Sequence, residues 1–272
     1  MTPQRHPSTG RAAGRRVPAA LLLPAALGLF LLVLPLLGLL LRTPWASLPQ
    51  RLTAPGVLTA LRLSVQCATL ATLLCLALGV PLAWLLARVE FPGRRVVRAL
   101  VTVPLVLPPV VGGLALLLVF GRRGLLGGWL DDTLGVTLPF TTTGVVLAEA
   151  FVAMPFLVIA VEGALRAADI RYEEAAATLG AGRWTTFTHV TLPLVAPGVA
   201  AGAVLCWARA LGEFGATITF AGNYPGRTQT MPLAVYLALE TDLDAAIVLS
   251  LILLVVSVAI LAGLRDRWLG SP

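Results

Sequence analysis

Long apolar runs separated by short polar stretches set the pattern of this chain, and six of them are long enough to be read as membrane-spanning helices. Hydrocarbon about 30 Å thick needs about 20 apolar residues of helix, because backbone polar groups in lipid must find partners within their own segment. The six runs extend approximately from Ala19 to Leu41, Leu63 to Ala87, Leu100 to Phe120, Gly144 to Val161, Val195 to Phe214, and Ala245 to Leu264. The expected fold is all-α and integral to a membrane, with six transmembrane helices. Pro104, Pro108-Pro109 and Gly112-Gly113 interrupt the third run, marking either simple kinks or breaks that line a pathway. In the fifth, Gly198 and Gly202 stand four apart, a spacing that lets helix backbones approach.

Arg5, Arg11, Arg15 and Arg16 precede the first run, as they would in a secretory signal peptide. The run is longer than the usual signal core, and Arg42-Thr43-Pro44-Trp45 follows it without a small-x-small cleavage site, so an uncleaved helix is expected. Arginines near span ends set the orientation, since cytoplasmic loops retain positive charge. With the N-terminus inside, the cytoplasmic segments hold thirteen: those four, then Arg88, Arg94, Arg95 and Arg98, then Arg166, Arg171 and Arg183, then Arg265 and Arg267. The opposite side holds six, Arg42, Arg51, Arg62, Arg122, Arg123 and Arg227. Both termini are expected in the cytoplasm. The expected division is an arginine-rich tail over residues 1–18, an additional helix over 19–41, and one membrane domain over about 57–265.

Composition narrows the function. Only 12% of the 272 residues are charged and mean hydropathy is +0.90, far from a soluble domain. The formal charge of +7 is scattered between apolar runs with no basic face or aromatic platform, which argues against nucleic acid. Every basic residue is arginine, so the chain cannot carry a P-loop, which needs lysine before Ser or Thr. Cys67, Cys75 and Cys206 fall within apolar segments without disulfide or metal spacing, and His6 and His189 have no ligand companions. No cofactor or metal is expected.

The polar stretch from about 163 to 194 is too polar to span and too patterned for a slack linker. Asp169 can cap a short helix, Glu173 and Glu174 place negative charge in its first turn, and Gly180 can end it in a left-handed conformation. Tyr172, Ala175, Ala176 and Leu179 recur at spacings of three and four, giving a small apolar face. A further turn or two is expected from Arg183 to His189. Glu174-Ala175-Ala176, three residues, Gly180, nine residues, Val190, one residue, Leu192-Pro193 resembles the EAA loop of ATP-binding-cassette (ABC) import permeases, with Val190 where isoleucine is usual. The resemblance implies the type I importer permease fold. It further implies that Glu174, Ala175, Ala176, Gly180 and Arg183 belong to a coupling helix seated in a separate ATPase subunit. An ordinary cytoplasmic helical hairpin is the competing view.

Further motifs resemble molybdate permease subunits: Phe91-Pro92-Gly93-Arg94, Pro104 to Val111, Gly121-Arg122-Arg123-Gly124, Thr178 to Trp184, and Ala208 to Phe220. The similarity runs from about Leu58 to Leu264. Sulfate permeases share Gly212-Glu213-Phe214-Gly215, whereas Gly121 to Gly124 and Asn223 to Thr230 favour molybdate, with tungstate inseparable from it. The resemblance implies two copies of the chain, two ATPase subunits, and a periplasmic or extracellular molybdate-binding protein, in a bacterial inner membrane. The chain itself is expected to be a transport subunit and not an enzyme.

Charges within spans are costly and usually face a partner or a water-filled cavity. Arg209 and Glu213 stand four apart, either as a self-neutralising pair or as lining that attracts a passing dianion without holding it tightly. Phe214 and Thr217 continue this motif toward the pathway. Glu149 has either a hydrogen-bonded packing role or a pathway-facing position. The stretch from Gly215 to Asp244 is expected on the outer side, where Glu240, Asp242 and Asp244 either dock a binding protein or are simply solvated. Glu149 and Glu213 are the only support for an ion-coupled secondary transporter. An intramembrane hydrolase has none, since no GxSxG, HExxH or paired aspartates fall within the spans.

Overall fold

The structure is a computed structural model describing residues 19–268, which hold helices and no strand. The arginine-rich tail therefore lies outside the described residues. The chain divides into two units, 1–42 and 43–272. The first contains α1 (Ala19–Arg42), whose apolar side chains from Leu21 to Leu41 are exposed along its length. Its 24 residues rise about 36 Å, enough to cross hydrocarbon.

The second unit begins with the short α2 (Leu48–Leu52) and the long α3 (Pro55–Arg88). α3 starts two turns before the apolar run predicts, because Pro55 at its first position needs no N–H partner and fixes a helical φ. The third apolar run is not one straight span. It forms α4 (Arg94–Val106) and α5 (Pro109–Phe120), bent by 118°. Proline disfavours helical backbone in the residue before it, so Leu107 (ψ 128°) and Pro108 (ψ 131°) are both extended. The prolines therefore mark a break, not a kink. Counting the bent pair as one span, six helical segments are long and apolar enough to cross a membrane among the described residues.

After α6 (Gly127–Leu134) comes α7 (Thr142–Ala167), capped by the Thr141 hydroxyl, which accepts the Gly144 N–H at 3.1 Å. Two short helices, α8 (Arg171–Thr178) and α9 (Arg183–Thr186), lead through a π turn at Phe187–Thr191 into α10 (Leu192–Leu211). Pro193 cannot donate a helical hydrogen bond, and Leu192 donates instead five residues back to Phe187 O. The expected turn after Arg183 is thus continuous with the span.

The predicted fifth span also ends early. It stops at Leu211, and Glu213 and Phe214 form a break before α11 (Gly215–Ala221). Gly215, Ala216, Thr217, Phe220 and Ala221 are buried, so α11 is part of the bundle and not an outer loop. Then follow α12 (Met231–Thr241), an apolar helix too short to cross, and α13 (Leu243–Trp268).

Lipid removes most of the hydrophobic force between helices, so close packing must hold them. α3, α7 and α10 form the main core, where Ala68, Ala71 and Cys75 meet Ala153, Leu157, Cys206 and Ala210. A Cβ on Gly198 would collide with Ala164 Cβ, and one on Gly202 would come within 3.0 Å of Ala160 Cβ, so α10 lies close on α7 at these glycines. α5 crosses α11 with backbone against backbone. A Cβ on Gly113 would lie 2.7 Å from Ala216 O, and one on Gly215 3.1 Å from Val110 N.

Candidate functional site

Two regions collect the residues singled out in the sequence. The first is α8. Its start is tied by Asp169, whose Oδ1 accepts the Arg171 N–H at 3.0 Å. Its end is a paired reversal: Gly180 N–H donates to Ala177 O and Ala181 N–H to Ala176 O, both at 3.0 Å, with Gly180 at φ +86°. The left-handed turn expected at Gly180 is present.

The apolar side of α8 has little covering it. Tyr172 and Ala175 are exposed, Ala176 is half-buried, and Leu179 is 88% exposed, followed by Trp184 at 75%. Glu174, Gly180 and Arg183 are exposed too. Helix α8 is attached by its other side. Glu173 pairs with Arg88 at the end of α3, at 2.9 Å, and Arg88 also reaches Ala168 O. Sequence reading missed this tie, since the partners stand 85 residues apart.

Neighbouring arginines continue the same end. Arg94 donates to Leu86 O and Ala87 O, satisfying carbonyls left free at the end of α3. Half-buried Arg98 meets buried Glu162 at 2.7 Å, and Arg166 joins the same carboxylate at 2.6 Å. Three elements are thereby braced beneath α8. An open cavity of about 630 Å³ lies between this base and α8, bordered by Trp84, Arg88, Glu174, Arg183 and Phe187.

The second region is the break between α10 and α11. Arg209 and Glu213 form an ion pair at 2.6 Å although Glu213 lies beyond the helix end. The other carboxylate oxygen accepts the Ala216 N–H at 2.7 Å. Glu213 is only 1% exposed, so it ties the first turn of α11 to the last turn of α10. Arg209 is half-buried, with its remaining donors uncommitted among the described residues. Phe214 packs on Tyr236 of α12, ring centres 5.1 Å apart, beside the exposed Gly212. Tyr236 carried no signal in the sequence.

Glu149 and Thr217 are 1% and 0% exposed, and Glu149 Oε2 and Thr217 Oγ1 have no hydrogen-bond partner. Glu149 lies within electrostatic reach of Glu213. Both residues are inside the bundle of this one chain. Among the described residues no cluster of His, Cys, Asp or Glu is arranged to hold a metal ion. Asp242 and Asp244 meet Arg51 at 2.7 and 3.7 Å, while Glu240 stays exposed.

Residues 79–271 match the family described as binding-protein-dependent transport system inner membrane component, and the chain belongs to that family. It is 49% identical over 251 residues to the molybdenum transport system permease protein ModB of Mycobacterium tuberculosis, covering 92% of this chain and 95% of that one. It is 37% identical over 239 residues to the sulfate transport system permease protein CysT of Escherichia coli, covering 86% of each. Among solved structures, a bacterial ABC transporter that imports alginate matches with a TM-score of 0.75 at 19% identity, covering 91% of this chain and 93% of that one. This likeness shows the fold of an ABC importer permease.

Proposed function

We propose that the chain is the permease subunit of an ATP-driven molybdate importer in a bacterial inner membrane, with both termini in the cytoplasm. The observation that carries it is the 49% identity to a molybdenum permease across 92% of the chain, against 37% to a sulfate permease. ATP hydrolysis belongs to a separate ATPase, two copies of which act on two copies of this chain, and a binding protein delivers the oxyanion from outside.

Glu174, Ala175, Ala176, Gly180 and Arg183 take up the ATPase's motion within the loop of about 163–194. Exposed Leu179 and Trp184 are surfaces that such a partner would cover, and small alanines permit close seating. Arg88 and Glu173 pass the force to α3. Arg209 and Phe214 face the pathway, where Arg209 draws in a dianion. Glu213, buried and committed on both oxygens, keeps that arginine in place, and Thr217 and Glu149 support it from within the bundle. Residues 1–18 form a cytoplasmic tail, α1 an additional span, and 57–265 the permease domain.

Vesicles containing permease, ATPase and binding protein provide the test. ATP-driven uptake of labelled molybdate is expected, with Glu174→Ala impairing it. Uptake of sulfate alone would sink the cargo assignment; uptake without the ATPase would sink the coupling.

A further inference from the structure

We propose that the end of the bundle remote from α8 carries a receiving site for a tetrahedral oxyanion, formed between residues 121–141 and 222–230. The proposal rests on the functional reading above for its ligand class. An open cavity of about 640 Å³ lies there, with Arg122, Arg227, Thr137, Thr141 and Phe140 on its wall. Thr141 caps the start of α7 and α8 follows that helix's far end, so 26 residues, about 39 Å of helix, separate cavity and α8. Two motifs about a hundred residues apart, Gly121 to Gly124 and Asn223 to Thr230, meet at this wall and each contributes one arginine to it.

The wall is clamped. Thr142 Oγ1 donates to Arg227 O at 2.9 Å, joining the two segments. Phe140 N–H donates to Phe220 O, and the Phe140 ring meets Tyr224 edge-on at 6.2 Å. Phe140 holds φ +60°, a conformation a bulky residue keeps only where its surroundings enforce it.

The arginines have capacity to spare. The nearest carboxylate to Arg122 is Asp131 at 3.8 Å, already hydrogen-bonded by Thr137 at 2.8 Å, and the Arg122 side chain is 73% exposed. Arg227 is exposed and makes no ion pair among the described residues. Planar guanidinium forks match two oxygens of an oxyanion at once, whereas the Thr137 and Thr141 hydroxyls already donate to Asp131 and Leu138 O, so the arginines carry the recognition. Solvent at the rim weakens such contacts, which suits a site that must capture and release. Molybdate, tungstate and sulfate share the charge and shape that this wall recognises.

Equilibrium dialysis of labelled molybdate against the permease–ATPase complex, without binding protein, tests the site. Weak saturable binding is expected, displaced by tungstate and by sulfate. An Arg122→Gln, Arg227→Gln double variant should weaken it at least about tenfold, the loss of charge-assisted pairs. Arg123→Gln removes the same charge from the same turn but off the wall, and should change binding less than about twofold. If the double variant fails to assemble, the two single variants carry the same test. No saturable binding by the unaltered complex overturns the proposal, as does an equal loss in the Arg123 variant. It also falls if the arginines affect only docking of the binding protein. Import of molybdate by the full transporter without binding here removes the site and leaves the function; binding here without oxyanion import does the reverse.

Discussion

Helices α8 and α11 each follow a long helix after a break, yet α8 is largely exposed and α11 is largely buried. Both are rich in small residues, so composition does not separate them. What separates them is where their small side chains can be met. In α11, Ala216 lies against Gly113 of α5 within the same chain. In α8, Ala175 and the exposed Leu179 have little of this chain on them, and attachment is on the other side, where Glu173 pairs with Arg88. Small residues make a helix able to seat closely; its surroundings decide whether the seat is in the same molecule.

Breaking the α11 seat should have the largest effect. Gly113→Val places side-chain atoms against Ala216 backbone, which cannot yield as a flexible side chain can, and overpacking of this kind costs about 1–3 kcal/mol or more. Thermal unfolding in detergent should show a clear loss. At Gly112 a Cβ would first meet the Phe151 ring at 3.0 Å, so Gly112→Ala should cost less than Gly113→Ala; the reverse order would contradict the packing described.

Loosening α8 comes next. Arg88→Ala leaves Glu173 without its cation in a half-buried position, a loss of about 2 kcal/mol in local stability. Hydrogen exchange across α8 should quicken while that of α7 stays unchanged, and Arg88→Lys should restore part of the protection. Gly180→Val is smaller for stability, about 1–2 kcal/mol, because the cost is backbone strain with no neighbour within 4 Å of the added Cβ. Its expected signature is an intact fold with lost ATP-driven uptake. Normal coupled uptake in that variant would show that the turn is dispensable.

The smallest effect concerns Asp242, outside the spans. Its hydrogen bond from Arg51, then that from the Ala245 N–H, hold its carboxyl below the usual range. A lowered native pKa gives a contribution present above the ordinary carboxylate value and lost as pH falls through the native one. Asp242→Asn should therefore remove a small contribution at neutral pH and flatten the acid side of the stability profile, variant and parent converging as pH falls below the native value. An altered profile only above neutrality would contradict this tie.

The long helices were legible because their apolar runs exceed any other signal, and the α8 turn was legible because glycine there has a conformational reason. The break after Leu211 was not. Leu211, Phe214 and Ala216 continue the apolar run, and what stops the helix, Glu213 accepting the Ala216 N–H three residues ahead, is a local cap hidden inside that run. Helix α12 was passed over because its 11 residues cannot cross a membrane. The ties of Arg88 to Glu173 and Arg98 to Glu162 join residues 85 and 64 apart, and local spacing contains no trace of them. Glu149 was legible as unusual, but its enclosure within a single chain depends on how α7 meets α11.

The π turn at Phe187–Thr191 leaves no loop between Arg183 and Leu211. These 29 residues form one lever about 44 Å long, with Trp184 at one end and Arg209 at the other. Tilt or rotation of such a body would move the indole and the guanidinium together, and the widened turn and Pro197 are places along it where the shaft can flex.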